Sequence, residues 1–236
     1  AVGSYTVTYT STDTAGNTTI ATRTVIVRDT TKPEITLAGA AVVEQEAKVP
    51  YVDLGVSASD TLDASLTVAV DTSAVNVNAV GSYTVTYSVS DANGNAAVPV
   101  VRAVNVVDTT KPTITLTGDA TTTTEALSTY TDAGATASDG YDGTLTSSIV
   151  ATSTVDASTV GAYTVTYNVS DAEGNAAVAV VRTVNVVDTT KPTITLTGDA
   201  TGTVEAGSTY TDAGATASDN LTASIADTST VDASTG

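Results

Sequence analysis

The sequence predicts an all-β protein, a tandem array of β-sandwich domains of about 80 residues with about seven strands each, strung out as an extended rod. Three observations lead there. The segment Asp-Thr-Thr-Lys-Pro begins at Asp29, Asp108 and Asp188, at spacings of 79 and 80 residues, and a second marker, Val-Gly-(Ser/Ala)-Tyr-Thr-Val-Thr-Tyr, starts at Val2, Val80 and Val160. A unit of that length is too long for a solenoid repeat and suits a small domain with its own core. Apolar and polar residues alternate strictly from Tyr163 onward, the period of a half-buried strand. Thr supplies about a fifth of the chain and Val much of the rest, while long helix formers are scarce. Such β-branched residues favour strands.

Taken in chain order, residues 1–28 read as the C-terminal strands of a truncated domain. Residues 29–107 and 108–187 read as two complete domains, and 188–236 as the N-terminal strands of a fourth. Both ends fall inside a domain, as in a piece excised from a longer array. They would also do so in a subunit whose first strands complete the last partial domain of a neighbour. Within the second complete domain, short strands are expected near 114–116, 122–125, 134–137, 145–150 and 152–155. A hairpin follows. Tyr163, Val165, Tyr167 and Val169 share its apolar face, Asp171-Ala-Glu-Gly174-Asn175 makes its turn, and residues 176–187 return as the partner strand. The same hairpin recurs around Asp91-Ala-Asn-Gly94-Asn95 and Asp13-Thr-Ala-Gly16-Asn17. An odd number of antiparallel strands puts the two termini of a domain at opposite ends, and each short linker carries Pro, so successive domains extend a rod.

These motifs together resemble bacterial immunoglobulin-like surface repeats, of the hyalin-repeat-like kind also found in some pesticidal crystal proteins. The resemblance rests on the Asp108 segment, on Ser128-Thr-Tyr-Thr-Asp-Ala-Gly-Ala-Thr-Ala-Ser-Asp139 and on Val160-Gly-Ala-Tyr-Thr-Val-Thr-Tyr through Asn175. It loosens over 38–79, where Glu44-Gln-Glu-Ala-Lys-Val-Pro-Tyr-Val-Asp53 stands instead. It implies an immunoglobulin-like sandwich, a place in large secreted or cell-surface adhesins, and a corner-tyrosine role for Tyr5, Tyr83 and Tyr163. It implies no catalysis.

Composition narrows the chemistry. With no His and no Cys, imidazole bases, thiolate nucleophiles and zinc sites are excluded together. A net charge of −18 disfavours nucleic acid and anionic lipid surfaces, and no apolar run is long enough for insertion into a membrane. Cations are the natural partners. In the second complete domain the linker, the loop after the early strands and the hairpin turn are expected at one pole. Asp108, Asp139, Asp142, Asp171 and Glu173 should converge there. The first complete domain offers Asp29, Asp60, Asp63 and Asp91, and the last segment Asp188 and Asp219. Clustered carboxylates of this kind suit Ca²⁺, which takes six to eight oxygens in tolerant geometry. Asp and Asn also dominate turns, so the same residues read equally as turn formers. No EF-hand spacing is present. Glycosidase acids are disfavoured because the acids recur on turns without aromatic platforms. Arg23, Arg102 and Arg182, one per repeat on the last strand, read as cross-strand partners for an acid.

The expected function is therefore the stalk or spacer of a surface adhesin, not an enzyme, extracellular and stiffened by Ca²⁺ at its domain junctions. Its partners would be neighbouring repeats of the same protein. The alternative is the structural subunit of an extracellular filament or surface layer, assembled head-to-tail by strand complementation.

Overall fold

Alternating β-branched and polar residues make strands, and the Gly- and Asp-bearing turns between them decide which strands pair. In the computed structural model, which describes residues 1–226, the strands fall into two units that divide between Thr109 and Thr110. The tail of the last segment, 227–236, lies outside the described residues.

The first unit opens with a hairpin, β1 (Gly3–Thr12) and β2 (Thr18–Val27), paired antiparallel from Gly3 opposite Val27 to Thr12 opposite Thr18. A full repeat follows: β3 (Glu34–Leu37), β4 (Val42–Glu46), β5 (Val56–Ser59), β6 (Ala69–Asp71), β7 (Gly81–Ser88) and β8 (Val100–Val107). One sheet is β3-β5, the other β4-β8-β7-β6. The second unit repeats the plan with β9 (Thr113–Leu116), β10 (Thr121–Glu125), β11 (Ala135–Asp139), β12 (Gly143–Thr144), β13 (Val150–Ser153), β14 (Gly161–Asn168) and β15 (Val180–Val187). Its sheets are β12-β11-β9 and β10-β15-β14-β13, and the start of a further repeat pairs β16 (Thr193–Leu196) with β17 (Ala215–Ser218). This is a tandem β-sandwich architecture.

Period 2 decides the core. In the second repeat Val165, Tyr167, Val169 and Val184 cluster with Ile114 and Ala137 of the other sheet, with Leu145, Ile149 and Val155 packed around them. The first repeat buries the matching Val85, Tyr87, Val104 and Ile35. The expected corner tyrosines are present. Tyr5, Tyr83 and Tyr163 each donate their hydroxyl to a backbone carbonyl four residues upstream, at 2.8, 2.9 and 2.8 Å.

Three expectations need correction. The strands are not all antiparallel, since β4 runs parallel to β8 and β10 parallel to β15. Each reaches its place by crossing from the other sheet, and only a hairpin would force reversal. The segment 145–155 makes one strand, not two. Leu145 and Ile149 bracket a 3₁₀ turn over Thr146–Ser148, because an apolar spacing of four suits a turn of helix as well as a strand. The returning hairpin strand begins at Val180, not at 176. Ala176 makes an isolated bridge to Ser170, after which the chain leaves the ladder and exposes Val178. In the first repeat the same gap holds Pro99, which has no N–H to give a ladder. Seven strands are found in the second repeat and six in the first, which lacks a counterpart of β12.

Candidate metal centre

The hairpin turn positions the first carboxylate. Asp91 Oδ1 accepts the backbone N–H of Asn93 at 2.9 Å and of Asn95 at 2.7 Å, while Oδ2 accepts the Asn95 amide at 2.6 Å. Gly94 closes the loop at a φ of 89°, in the left-handed region where a Cβ is strained. Burial alone would raise the Asp91 carboxyl, but the hydrogen bonds from Asn95, Asn93 and Gly94 outweigh it and hold it below the ordinary range. Asp91 is thus ionised and oriented by its own turn.

Three further acids meet it from different parts of the first unit. Asp60, just past β5, accepts the N–H groups of Leu62 and Asp63 on Oδ1 at 2.9 and 3.3 Å. Its Oδ2 is buried and accepts no hydrogen bond. Asp63 Oδ2 takes the Ala92 N–H at 3.0 Å, which ties the loop to the hairpin turn. Asp29, in the linker between β2 and β3, receives Thr31 N–H at 3.0 Å and the Asn93 amide at 3.3 Å. Each of the four offers an oxygen within 4.8 Å of all the others. Oxygens bound to one Ca²⁺ at about 2.4 Å stand at most about 4.8 Å apart, twice the bond length, so the donor set fits that ion in both hardness and span.

The second unit reproduces these contacts. Asp139 Oδ1 accepts Tyr141 and Asp142 N–H at 2.7 and 3.2 Å, and Asp142 Oδ2 accepts Ala172 N–H at 2.9 Å. Asp171 holds Asn175 through backbone and side chain at 2.6 and 2.8 Å. Oxygens of Asp139 and Asp171 lie within 4.8 Å of one another, as do those of Asp142 and Glu173. Burial would raise the Asp139 carboxyl, yet its backbone hydrogen bonds and that from Thr110 lower it. Asp108, next to last in the first unit, is buried. In the last segment Asp188 is exposed and receives Thr190 N–H at 3.2 Å. Asp219 and Asn220 each carry a buried Oδ1 without a hydrogen-bond partner. Asp188 and Asp219 join no group of three acids among the described residues.

Two sets of polar contacts lie beyond the sequence reading. The repeated arginines do pair with an acid, as expected, but not with one across a strand. Arg102 and Arg182 are fully buried and pair with loop acids, Asp53 at 2.7 Å and Asp132. All five N–H groups of Arg182 are used, on Asp132, the Tyr167 hydroxyl and the carbonyls of Thr117, Asp119 and Gly134. The signal was available as Tyr-x-Asp-x-Gly at 51, 130 and 210, one copy per repeat. Glutamates at the end of the second strand form the other set. Glu46 accepts Thr109 N–H and hydroxyl at 3.0 and 2.7 Å, and Glu125 does the same for Thr189 at 2.9 and 2.7 Å. Each holds the linker that leaves its own repeat.

Comparison with known proteins follows the same division. Residues 35–106 and 114–186 match the family described as bacterial surface protein, Ig-like domain. Over 228 residues the chain is 36% identical to hyalin of Lytechinus variegatus, covering 88% of this chain and 42% of hyalin. Over 216 residues it is 34% identical to Internalin I of Listeria monocytogenes, covering 84% of this chain and 11% of that protein. The chain thus spans less than half of either relative. A lipoprotein structure from Bacteroides thetaiotaomicron aligns at 28% identity over 34% of this chain and 39% of its own, with a TM-score of 0.30, too low to carry an argument.

Proposed function

The chain belongs to the bacterial surface protein Ig-like domain family, and from that premise we propose that it is a stretch of extracellular stalk in a surface adhesin, stiffened by Ca²⁺ where linkers meet domains. The observation that carries the calcium reading is the group Asp29, Asp60, Asp63 and Asp91, in which Asp60 Oδ2 is buried without a hydrogen-bond donor. None of these four acids makes an ion pair among the described residues. Two carboxylate charges 4 Å apart repel by about 4 kcal/mol in a surface-like dielectric, a repulsion that a divalent cation between them would relieve. The linker residue Asp29 is the one that matters mechanically. An ion shared by Asp29 with the two loops fastens the linker to the body it enters. In the second repeat Asp139 and Asp171 stand where Asp60 and Asp91 stand in the first, and we assign them the same part.

The spacer reading draws support from repetition. Both complete repeats bury one arginine in the same internal network, and the family is one of surface domains. Calorimetric titration of the chain with Ca²⁺ tests the ion. Binding in the range of about 10⁻⁴ to 10⁻³ M is expected, as for extracellular modules, with loss of the first-repeat site in Asp60→Asn. No binding heat, with identical melting in calcium and in chelator, would leave these acids as turn formers.

A further inference from the structure

Asn93 is the one asparagine of the chain that precedes a glycine, and we infer that it is a site of spontaneous deamidation, a modification that loosens the hold of the β7-β8 turn on the linker at Asp29. Every other asparagine precedes Thr, Val, Ala or Leu. The reaction needs only water. The backbone nitrogen of Gly94, once solvent base has taken its proton, attacks Cγ of Asn93. A bond from that nitrogen to Cγ forms, the bond from Cγ to Nδ2 breaks, and the amide leaves as ammonia after taking up a proton. Water then opens the five-membered succinimide at one carbonyl or the other, giving aspartate or isoaspartate. A Cβ on the following residue obstructs the attack, and glycine has none. The turn leaves the attack open as well. Ala92, Asn93 and Gly94 are all exposed, and nothing lies within 4 Å of where a Gly94 Cβ would stand. Gly94 N–H is also the most loosely held of its turn, reaching the Asp91 carbonyl at 3.3 Å against 2.9 and 2.7 Å for the N–H groups of Asn93 and Asn95 on Asp91 Oδ1.

The amide that is lost has a partner. Asn93 Nδ2 donates to Asp29 Oδ2 at 3.3 Å, beside the Asn95 amide, which donates to the Asp29 carbonyl at 3.3 Å. Deamidation replaces the first of these donors with a carboxylate, which accepts hydrogen bonds and cannot give one to Asp29. It also sets a new negative charge beside Asp29, whose oxygens already lie within 4.8 Å of Asp60, Asp63 and Asp91. Attraction between turn and linker becomes repulsion. The turn itself withstands an acid at this position. Glu173 occupies it in the second repeat, where Asp171 still holds Asn175 at 2.6 and 2.8 Å. What changes is the contact with the linker. If the calcium reading given above holds, on which this one consequence rests, the new carboxylate is a further oxygen ligand, and the linker of an aged molecule is held by the ion alone.

The experiment follows the native chain by peptide mass mapping over weeks in mildly alkaline buffer with chelator at body temperature. The peptide that contains Asn93 should gain about one dalton before any other asparagine peptide does. Gly94→Ala should slow the gain at least about tenfold. Asn93→Asp supplies the finished product from the start, and hydrogen exchange across residues 29–31 should be at least several-fold faster in it than in fresh native chain, again in chelator. An Asn93 that stays intact while other asparagines convert, an equal rate in Gly94→Ala, or equal linker exchange in Asn93→Asp and native chain would each overturn the proposal. The time course and the Asn93→Asp comparison both keep the turn glycine, so a Gly94→Ala variant that fails to fold leaves the test standing. Every arm is read without calcium, so a failure here is separate from a failure of the calcium reading.

Discussion

Arg182 and Asp132 sit where a wrong charge is most costly, because the guanidinium is wholly buried and every donor on it is used. Removing one member of such a pair strands the other, so Asp132→Ala should destabilise the second repeat by about 3 kcal/mol, the lower end of the buried-pair range given the partly exposed carboxylate. Denaturant unfolding would show it, and an unchanged midpoint would contradict it. The same network sets two pH dependences. Burial would raise the Asp132 carboxyl, but hydrogen bonds from Tyr167, Arg182 and Tyr130 hold it below the ordinary range. A depressed carboxyl adds stability above its unfolded value, near pH 4, and loses it as pH falls through the folded one. Tyr167 moves the other way, pushed up to about 12 by burial and by Asp132. Its contribution is complete below the unfolded tyrosine value of about 10 and is lost as pH rises toward 12. Melting temperatures of the native chain should fall over that alkaline window. The fall should be smaller in a Tyr87→Phe, Tyr167→Phe double variant, and equal falls would refute the assignment.

At the scale of elements, the hairpin turn and the linker clamp do separate jobs. Gly174 holds a φ of 91° with nothing near its missing Cβ, so Gly174→Ala meets backbone strain alone. That should cost about 1–2 kcal/mol, and because the strain displaces Asp171, it should also weaken calcium binding in the second repeat. A variant with native stability and native binding would show the turn to be tolerant. Glu125 governs the linker beyond β15. Its carboxylate takes four hydrogen bonds from Thr189 and Thr190, chiefly those of Thr189, which bring its pKa down to about 2. Amide exchange at Thr189 and Thr190 should therefore stay slow down to pH values near 2. Glu125→Gln should speed it at least several-fold without shifting the melt of the repeat. Equal exchange in both proteins would show that the clamp does not order the linker.

Across the whole molecule, charge is the governing quantity. A net charge of −18 carried by 26 acids against 8 bases cannot be balanced internally, and some of the acids gather where linkers enter domains. Salt screens such repulsion over about 8 Å at physiological strength, whereas a bound divalent ion removes it locally. Chelation should lower the melting temperature and change the small-angle scattering profile while leaving each sandwich folded, since the Val and Tyr cores contain no ligand. Asp29→Asn with Asp60→Asn should reproduce the chelated behaviour at the first linker alone. Superimposable melts and profiles in calcium and chelator would remove calcium from the mechanism.

Much of this was legible in the residues themselves. Strand period, hairpin turns, repeat length and corner tyrosines are local or periodic features, fixed by neighbours a few positions apart, and the tandem sandwich follows from them. The approach of Asp29, Asp60, Asp63 and Asp91 was also readable, because linker, loop and turn recur at fixed points of each repeat, whereas Asp188 and Asp219 join no such group among the described residues. Three things were decided only by the tertiary structure. The parallel placement of β4 and β10 depends on a crossover between sheets, which leaves no mark on local pattern. The turn over Thr146–Ser148 shares its apolar spacing with a strand, and packing of Leu145 and Ile149 on one core chose between them. The pairing of Arg102 with Asp53 and of Arg182 with Asp132 joins residues about 50 positions apart. Only burial, which forbids a lone charge, turns that pair of repeated motifs into a contact.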